Sequence, residues 1–301
     1  MNFEDLVKQP YSQDWSNNSK ECYENLFGSG SGIFEQRAKN AVALRAPKIE
    51  IDKVPFTALI HESNPDSGPY GGMSFVLFPI ADGPALICMV VGTQGLSPDE
   101  DILSRPGHGR KVSALCSWLN CKYGNGKAVA WSKQDPVRID MDIPKNVMDQ
   151  FPKYTSVFKR YGKVIYGFFA PPEKENEEPI KEAILTFLAL YFDEYGHKPL
   201  SKLGKEIAKL EQQYFSYLMP NITNEDVMNL LMERHFAVLT GPPGTGKTYM
   251  ALQLLKDQFH GRGKTIQFHP NTTYETFVGG LFPEKDTSSL GFSFSPKPGA
   301  L

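Results

Sequence analysis

Three short apolar runs follow one another early in the chain: Phe56-Thr-Ala-Leu-Ile60, Met73-Ser-Phe-Val-Leu-Phe78 and Ala85-Leu-Ile-Cys-Met-Val-Val91. Gly68-Pro69, Gly71-Gly72 and Asp82-Gly83-Pro84 separate them, so each predicts a β-strand, and the last two predict a hairpin. A helix is predicted from about Lys111, carrying Trp118 and Leu119. Val164-Ile-Tyr-Gly-Phe-Phe169 predicts one more strand. Residues 1 to about 45 are polar and read as helical, interrupted at Gly28-Ser-Gly-Ser-Gly32, a run that reads as a flexible turn. The pattern describes an α+β N-terminal domain over residues 1–170.

The texture then changes. Pro171-Pro-Glu-Lys-Glu-Asn-Glu-Glu-Pro179 reads as a charged, proline-bounded linker. Helices are predicted over Ile180 to Tyr195 and Ser201 to Tyr217, so residues 171–221 are expected to be linker and helices. A third helix, Asn224 to Arg234, is capped by the Thr223 or Asn224 side chain. Phe236 to Leu239 predicts a buried parallel strand, Tyr249 to Phe259 a helix, and Lys264 to Phe268 a second strand. Residues 222–301 therefore predict the first part of an incomplete α/β P-loop domain, which needs further strands to close its sheet. On this reading the chain is a piece of a longer protein.

The segment Gly241-Pro-Pro-Gly-Thr-Gly-Lys-Thr248 carries the clearest chemistry. A triphosphate cradle needs backbone N–H groups to converge on phosphate oxygens, and side chains would block that approach. Gly241, Gly244 and Gly246 clear the way and allow positive φ, while Pro242 and Pro243 stiffen the loop. The following helix N-terminus adds partial positive charge. Lys247 is expected on the β- and γ-phosphates and Thr248 on Mg²⁺, with Thr245 and Tyr249 completing the nucleotide-binding stretch.

Composition narrows the rest. The 301 residues are 41% hydrophobic and 22% charged, with a net charge of −2, so any nucleic-acid surface has to be a local patch. Cys22, Cys88, Cys116 and Cys121 lack zinc-site spacing and read as free thiols in a cytoplasmic protein. There is no signal-peptide pattern at Met1, and no apolar stretch of the roughly 18 residues a membrane span requires.

Weaker candidates remain. Arg105-Pro-Gly-His-Gly-Arg-Lys111 reads as a compact basic loop in which Arg105, Arg110 and Lys111 can meet DNA phosphates; the alternative is an ordinary solvated loop. Tyr70, Trp118, Tyr123 and Trp131 are candidates for stacking on an extruded base, or else pack in the core. Ile184 to Glu194 has the form of an apolar strand ending in Asp-Glu, as a Walker B motif does, but it precedes the phosphate loop and fits a helix. His269 reads as a structural rather than a catalytic histidine.

The phosphate loop resembles the Walker A motif of AAA+ proteins. Gln267-Phe-His-x4-Tyr274-Glu275-x-Phe277-x-x-Gly280-x-x-Pro283 is similar to the corresponding segment of McrB-type NTPases, motor subunits of modification-dependent restriction systems within the dynein-related AAA+ group. Pro55 to Ile60, Gly71 to Phe78, Val91 to Gly95 and Tyr161 to Tyr166 resemble, more loosely, the N-terminal domain of that family. The resemblance implies ATP or GTP with Mg²⁺, a homo-oligomeric, hexameric ring in the full-length protein, a McrC-like nuclease partner, and a domain that reads methylated DNA. It also implies hydrolysis by a Walker B acid, a sensor and an arginine finger lying beyond Leu301, so residues 1–301 are expected to bind nucleotide better than they turn it over. A second reading keeps the AAA+ assignment but gives the N-terminal domain a protein target, as in remodelling or signalling ATPases.

Overall fold

The computed structural model describes residues 2–28, 32–47, 54–65, 68–94, 100–103, 106–172, 177–218, 222–240, 244–285 and 291–299. The chain divides into two compact units, Met1–Pro220 and Asn221–Leu301. In order, the first unit contains α1 (Phe3–Lys8), α2 (Trp15–Asn25), β1 (Val42–Arg45), β2 (Thr57–His61), β3 (Met73–Ile80), β4 (Gly83–Val91), α3 (Glu100–Leu103), α4 (Pro106–Tyr123), β5 (Ala130–Ser132), α5 (Lys145–Met148), α6 (Thr155–Tyr161), β6 (Ile165–Phe169), α7 (Glu178–Glu194) and α8 (Ser201–Phe215). The second contains α9 (Asn224–Arg234), α10 (Lys247–Asp257), α11 (Tyr274–Phe277), β7 (Gly279–Lys285) and β8 (Phe292–Pro298).

The first unit is built on a six-stranded antiparallel sheet in the order β1-β2-β3-β4-β6-β5. The three predicted strands are β2, β3 and β4, and Val164 to Phe169 supplies β6. The hairpin between β3 and β4 closes with Ile80 opposite Gly83. Strands β3, β4 and β6 are buried along nearly their whole length, so both faces of the sheet are covered. That burial explains why they read as continuous apolar runs and not as alternating ones. The short edge strands β1 and β5 carry too little pattern to be predicted.

Helix α7 sets the extent of the unit. Ile184, Leu185, Phe187, Leu188, Ala189, Leu190, Tyr191 and Phe192 are all buried. The helix packs on β3 and β4, with α1, α4 and α8 against it. The Tyr191 hydroxyl donates to the Leu59 carbonyl at 3.1 Å, and the Phe192 ring lies 4.1 Å from that of Phe34. A helix apolar on every side is a core helix. The first unit runs to Pro220 and so includes α7 and α8, past the boundary expected near Ala170.

In the second unit, α9 begins and ends as predicted. The Thr223 hydroxyl accepts from the Asp226 amide and the Asp226 carboxylate accepts from the Thr223 amide, so Thr223 is the cap and not Asn224. The two expected parallel strands are not formed. Phe236 to Leu239 and Lys264 to Phe268 pair with no strand among the described residues. Phe236, Val238 and Phe268 are 68%, 77% and 65% exposed, so the expected burial is corrected as well. A parallel strand needs ladder partners and covered faces, and β7 and β8 spend their ladder on each other. The unit is mixed α and β, with an antiparallel hairpin as its one sheet among the described residues. No helix of the described residues is long and apolar enough to cross a membrane.

Candidate phosphate-binding site

The phosphate loop opens α10. Gly244 and Gly246 have φ of +81° and +78°, the left-handed region where a side chain is strained. An added Cβ at either glycine would meet nothing within 4 Å, so the backbone beside them is open to a ligand. Gly246 caps the helix, and its carbonyl accepts from the Met250 amide at 2.8 Å. Lys247 and Thr248 stand in the first turn, where free N–H groups and the helix dipole favour an anion. Lys247 is half-buried, and its Nζ donates to Thr245 Oγ1 at 3.2 Å. Thr245, Thr248 and Tyr249 are exposed, Tyr249 at 71%. Leu254, 4% exposed, anchors the helix in its unit. Gly241, Pro242 and Pro243 lie outside the described residues.

The segment after the second predicted strand is held locally. The Thr273 hydroxyl caps α11 by accepting from the Thr276 amide, and the Phe268 ring lies 4.9 Å from that of Phe277. His269 is exposed; its amide donates to Thr272 Oγ1 at 2.9 Å and its carbonyl accepts from the Thr272 amide at 2.9 Å.

The N-terminal candidates fall out differently. Arg105 lies outside the described residues. From Pro106 the expected basic loop is already helix α4. Lys111 Nζ donates to Glu194 Oε1 at 3.1 Å and lies 3.6 Å from Asp193 Oδ2, so its charge is matched within the fold. Arg110 is exposed. Trp118 is 4% exposed and sits beside the Tyr123 and Tyr214 rings, which corrects its place among the stacking candidates to that of a core side chain. Tyr70 is also buried, its hydroxyl 3.2 Å from Ser74 Oγ. Trp131 is half-buried on edge strand β5, 5.8 Å from the Phe168 ring, and Tyr123 donates to Glu182.

Asp193 and Glu194 end α7 as a helix, not as a strand. Glu194 is the centre of a cluster the sequence did not reveal. His108 Nδ1 lies 3.2 Å from Glu194 Oε1, and His108 Nε2 lies 3.0 Å from the Tyr166 hydroxyl. The His108 side chain is fully buried and that of Glu194 nearly so. Burial alone would raise the Glu194 carboxyl, but His108 and Lys111 together hold it below the ordinary carboxylate value. A carboxyl depressed in the folded state contributes stability above its unfolded pKa and loses it as pH falls through the folded value. Glu194→Gln is therefore expected to destabilise the unit by about 1.5–3 kcal/mol at neutral pH, the scale of a lost hydrogen bond to a charged group. The gap between variant and native protein should close as pH drops below about 4. Urea unfolding at several pH values measures this; an equal gap at every pH would contradict the pairing.

A family model described as novel STAND NTPase 3 matches residues 219–278, the stretch that holds the phosphate loop. The chain is 27% identical over 154 residues to the type IV methyl-directed restriction enzyme EcoKMcrB subunit of Escherichia coli K12, covering 47% of this chain and 33% of that protein. It is 45% identical over 51 residues to neuron navigator 3 of mouse and of human, covering 17% of this chain and 2% of those proteins. The chain thus spans about a third of the length of the restriction-enzyme subunit and a small part of the navigators. No solved structure matches it.

Proposed function

We propose, on the premise that this chain is a relative of the McrB-type AAA+ NTPases, that it belongs to an NTP-driven subunit of a modification-dependent DNA restriction system. Residues 244–249, with Gly241 to Pro243 before them, bind the phosphates of ATP or GTP with Mg²⁺. The N-terminal unit contacts DNA, with methylated DNA as its target, and the full-length protein works as a hexameric ring beside a McrC-like nuclease in the cytoplasm.

The observation that carries the reading is the open loop: two left-handed glycines with nothing over them, followed at once by a helix that presents Lys247 and Thr248. Bound phosphate would meet N–H groups, a lysine and a hydroxyl, which is the donor set a Mg²⁺–triphosphate needs. Mg²⁺ bound with the triphosphate would supply charge neutralisation of the phosphate oxygens. Lys247 adds a point charge, and Thr248 offers an oxygen ligand to the ion. Asp193 and Glu194 do not take the Walker B role, because both are engaged with Lys111 and Asp193 also with Lys198.

Thr248→Ala separates the metal role from the phosphate role. Affinity for a fluorescent triphosphate analogue should fall by about tenfold in Mg²⁺, the loss of one strong interaction, and change little in EDTA. An equal loss in both conditions would remove Thr248 from the metal. No saturable nucleotide binding by the native chain would sink the NTPase reading.

A further inference from the structure

Of the cations expected to hold DNA, Lys111 is paired with Glu194 and Asp193, Arg110 is exposed and Arg105 lies outside the described residues; another group of cations lies elsewhere in the first unit. Lys159 and Arg160 end α6, and Lys163 follows in the turn to β6. All three are exposed. None makes a side-chain hydrogen bond or ion pair among the described residues, whereas Lys39, Lys111, Lys122, Arg138, Lys181 and Lys198 all sit beside carboxylates.

These cations border a cleft of about 270 Å³ whose other walls include Thr93, Ile139 and Asp142. The cleft is built by a buried ammonium. Lys133, 6% exposed, donates to the carbonyls of Arg138 at 3.0 Å, Met141 at 2.9 Å and Lys163 at 2.8 Å. It therefore ties the 138–141 loop to the turn after α6. Gly162 lets the walls close up: a Cβ there would stand 2.5 Å from the Phe158 carbonyl oxygen and 2.6 Å from Asp142 Oδ1. Burial lowers the Lys133 amine, and Asp142 is the carboxylate that most opposes that shift. Asp142 itself lines the cleft. Asp140, the next carboxylate on the loop, is taken up by Arg138 through two contacts of 2.8 Å. The lining thus carries three cations, Lys159, Arg160 and Lys163, against one carboxylate, Asp142, a local excess of positive charge.

We propose that this cleft is the surface on which the N-terminal unit holds the phosphate backbone of duplex DNA, through Lys159, Arg160 and Lys163. The inference rests on the reading that this unit contacts DNA, and it deepens that reading by naming the surface. In a chain of net charge −2, a polyanion can be held only at such a local excess of positive charge. The Thr93 hydroxyl adds a neutral donor at the same mouth. Contacts of this kind position the duplex and carry no sequence information, so base reading would fall to other residues.

The test is a salt titration of the full chain on methylated and plain duplexes by fluorescence anisotropy. Lys159→Ala/Arg160→Ala/Lys163→Ala should weaken binding to both by at least about tenfold and reduce the salt slope by roughly 3, close to one per lost phosphate contact. A second variant, Lys202→Ala/Lys205→Ala/Lys209→Ala, removes the same charge from the exposed face of α8 and should change affinity by less than about threefold. Equal melting temperatures would show that both variants fold. Native binding with an unchanged slope in the first variant, or an equal loss in the second, would overturn the cleft while leaving the DNA reading intact. Absence of native binding to either duplex at about 50 mM salt, where phosphate contacts are strong, would overturn both. Binding to an acidic peptide that matches or exceeds binding to DNA, and is lost in the first variant, would reassign the cleft to a protein partner.

Discussion

Lys247→Ala abolishes nucleotide binding: affinity for a fluorescent ATP or GTP analogue is expected to drop by at least about a hundredfold, the scale of a charge-assisted contact to phosphate lost from a site built around it. Lys247 is the one lysine in the first turn of α10, beside the two open glycines. Its half-buried position and contact with Thr245 hold the ammonium near the loop before any ligand arrives. The loss should leave folding unchanged, since Leu254 anchors the helix from the other side of the turn. Binding within about twofold of native, a difference of about 0.4 kcal/mol, would contradict the phosphate role.

The second large effect concerns the first unit. A chain ending at residue 170 is expected not to fold, whereas one ending at residue 220 is expected to fold cooperatively. Cutting at 170 removes Ile184, Leu185, Phe187, Leu188, Leu190, Tyr191 and Phe192 from the core and uncovers one face of β3 and β4. Each fully buried side chain of this size contributes about 1.5–3 kcal/mol, so the loss is on the order of 10 kcal/mol. That matches or exceeds the whole stability of a typical domain. The cut also strands His108 and Lys111 without Glu194. Circular dichroism with thermal melts checks this; a cooperative transition of the 1–170 chain within a few degrees of the longer one would contradict the assignment of α7 to the core.

What the sequence made legible followed from the range of each interaction. The phosphate loop is a local device: its glycines, lysine and helix start lie within a few residues, and Gly244 and Gly246 take left-handed backbone directly before α10, which begins at Lys247, two residues ahead of the predicted start. Strands β2, β3, β4 and β6 are legible because each is dominated by a short apolar run buried along most of its length. Helix α7 is legible as a helix, but its flanks place it in a linker region. Its neighbours in sequence are charged and proline-rich, while its neighbours in space are strands a hundred residues earlier. The all-round apolar run from Ile184 to Phe192 was the signal that it is a core element. The basic segment around Lys111 misled for a similar reason. Its counter-charges, Asp193 and Glu194, are 82 and 83 residues away in the chain, and the pairing of two apparent functional motifs with each other shows only in the fold. The strands expected at Phe236 and Lys264 rested on apolar content alone, and apolar content does not supply ladder partners.

The most direct test of the central claim is a competition experiment on the native chain in Mg²⁺. A fluorescent triphosphate analogue is displaced by unlabelled triphosphate, diphosphate, monophosphate and nucleoside of the same base. If residues 244–249 hold the β- and γ-phosphates, the triphosphate and diphosphate should compete at least about a hundredfold better than the monophosphate, since the N–H groups, Lys247 and Thr248 act there. A nucleoside that competes as well as the triphosphate would contradict a phosphate-binding loop.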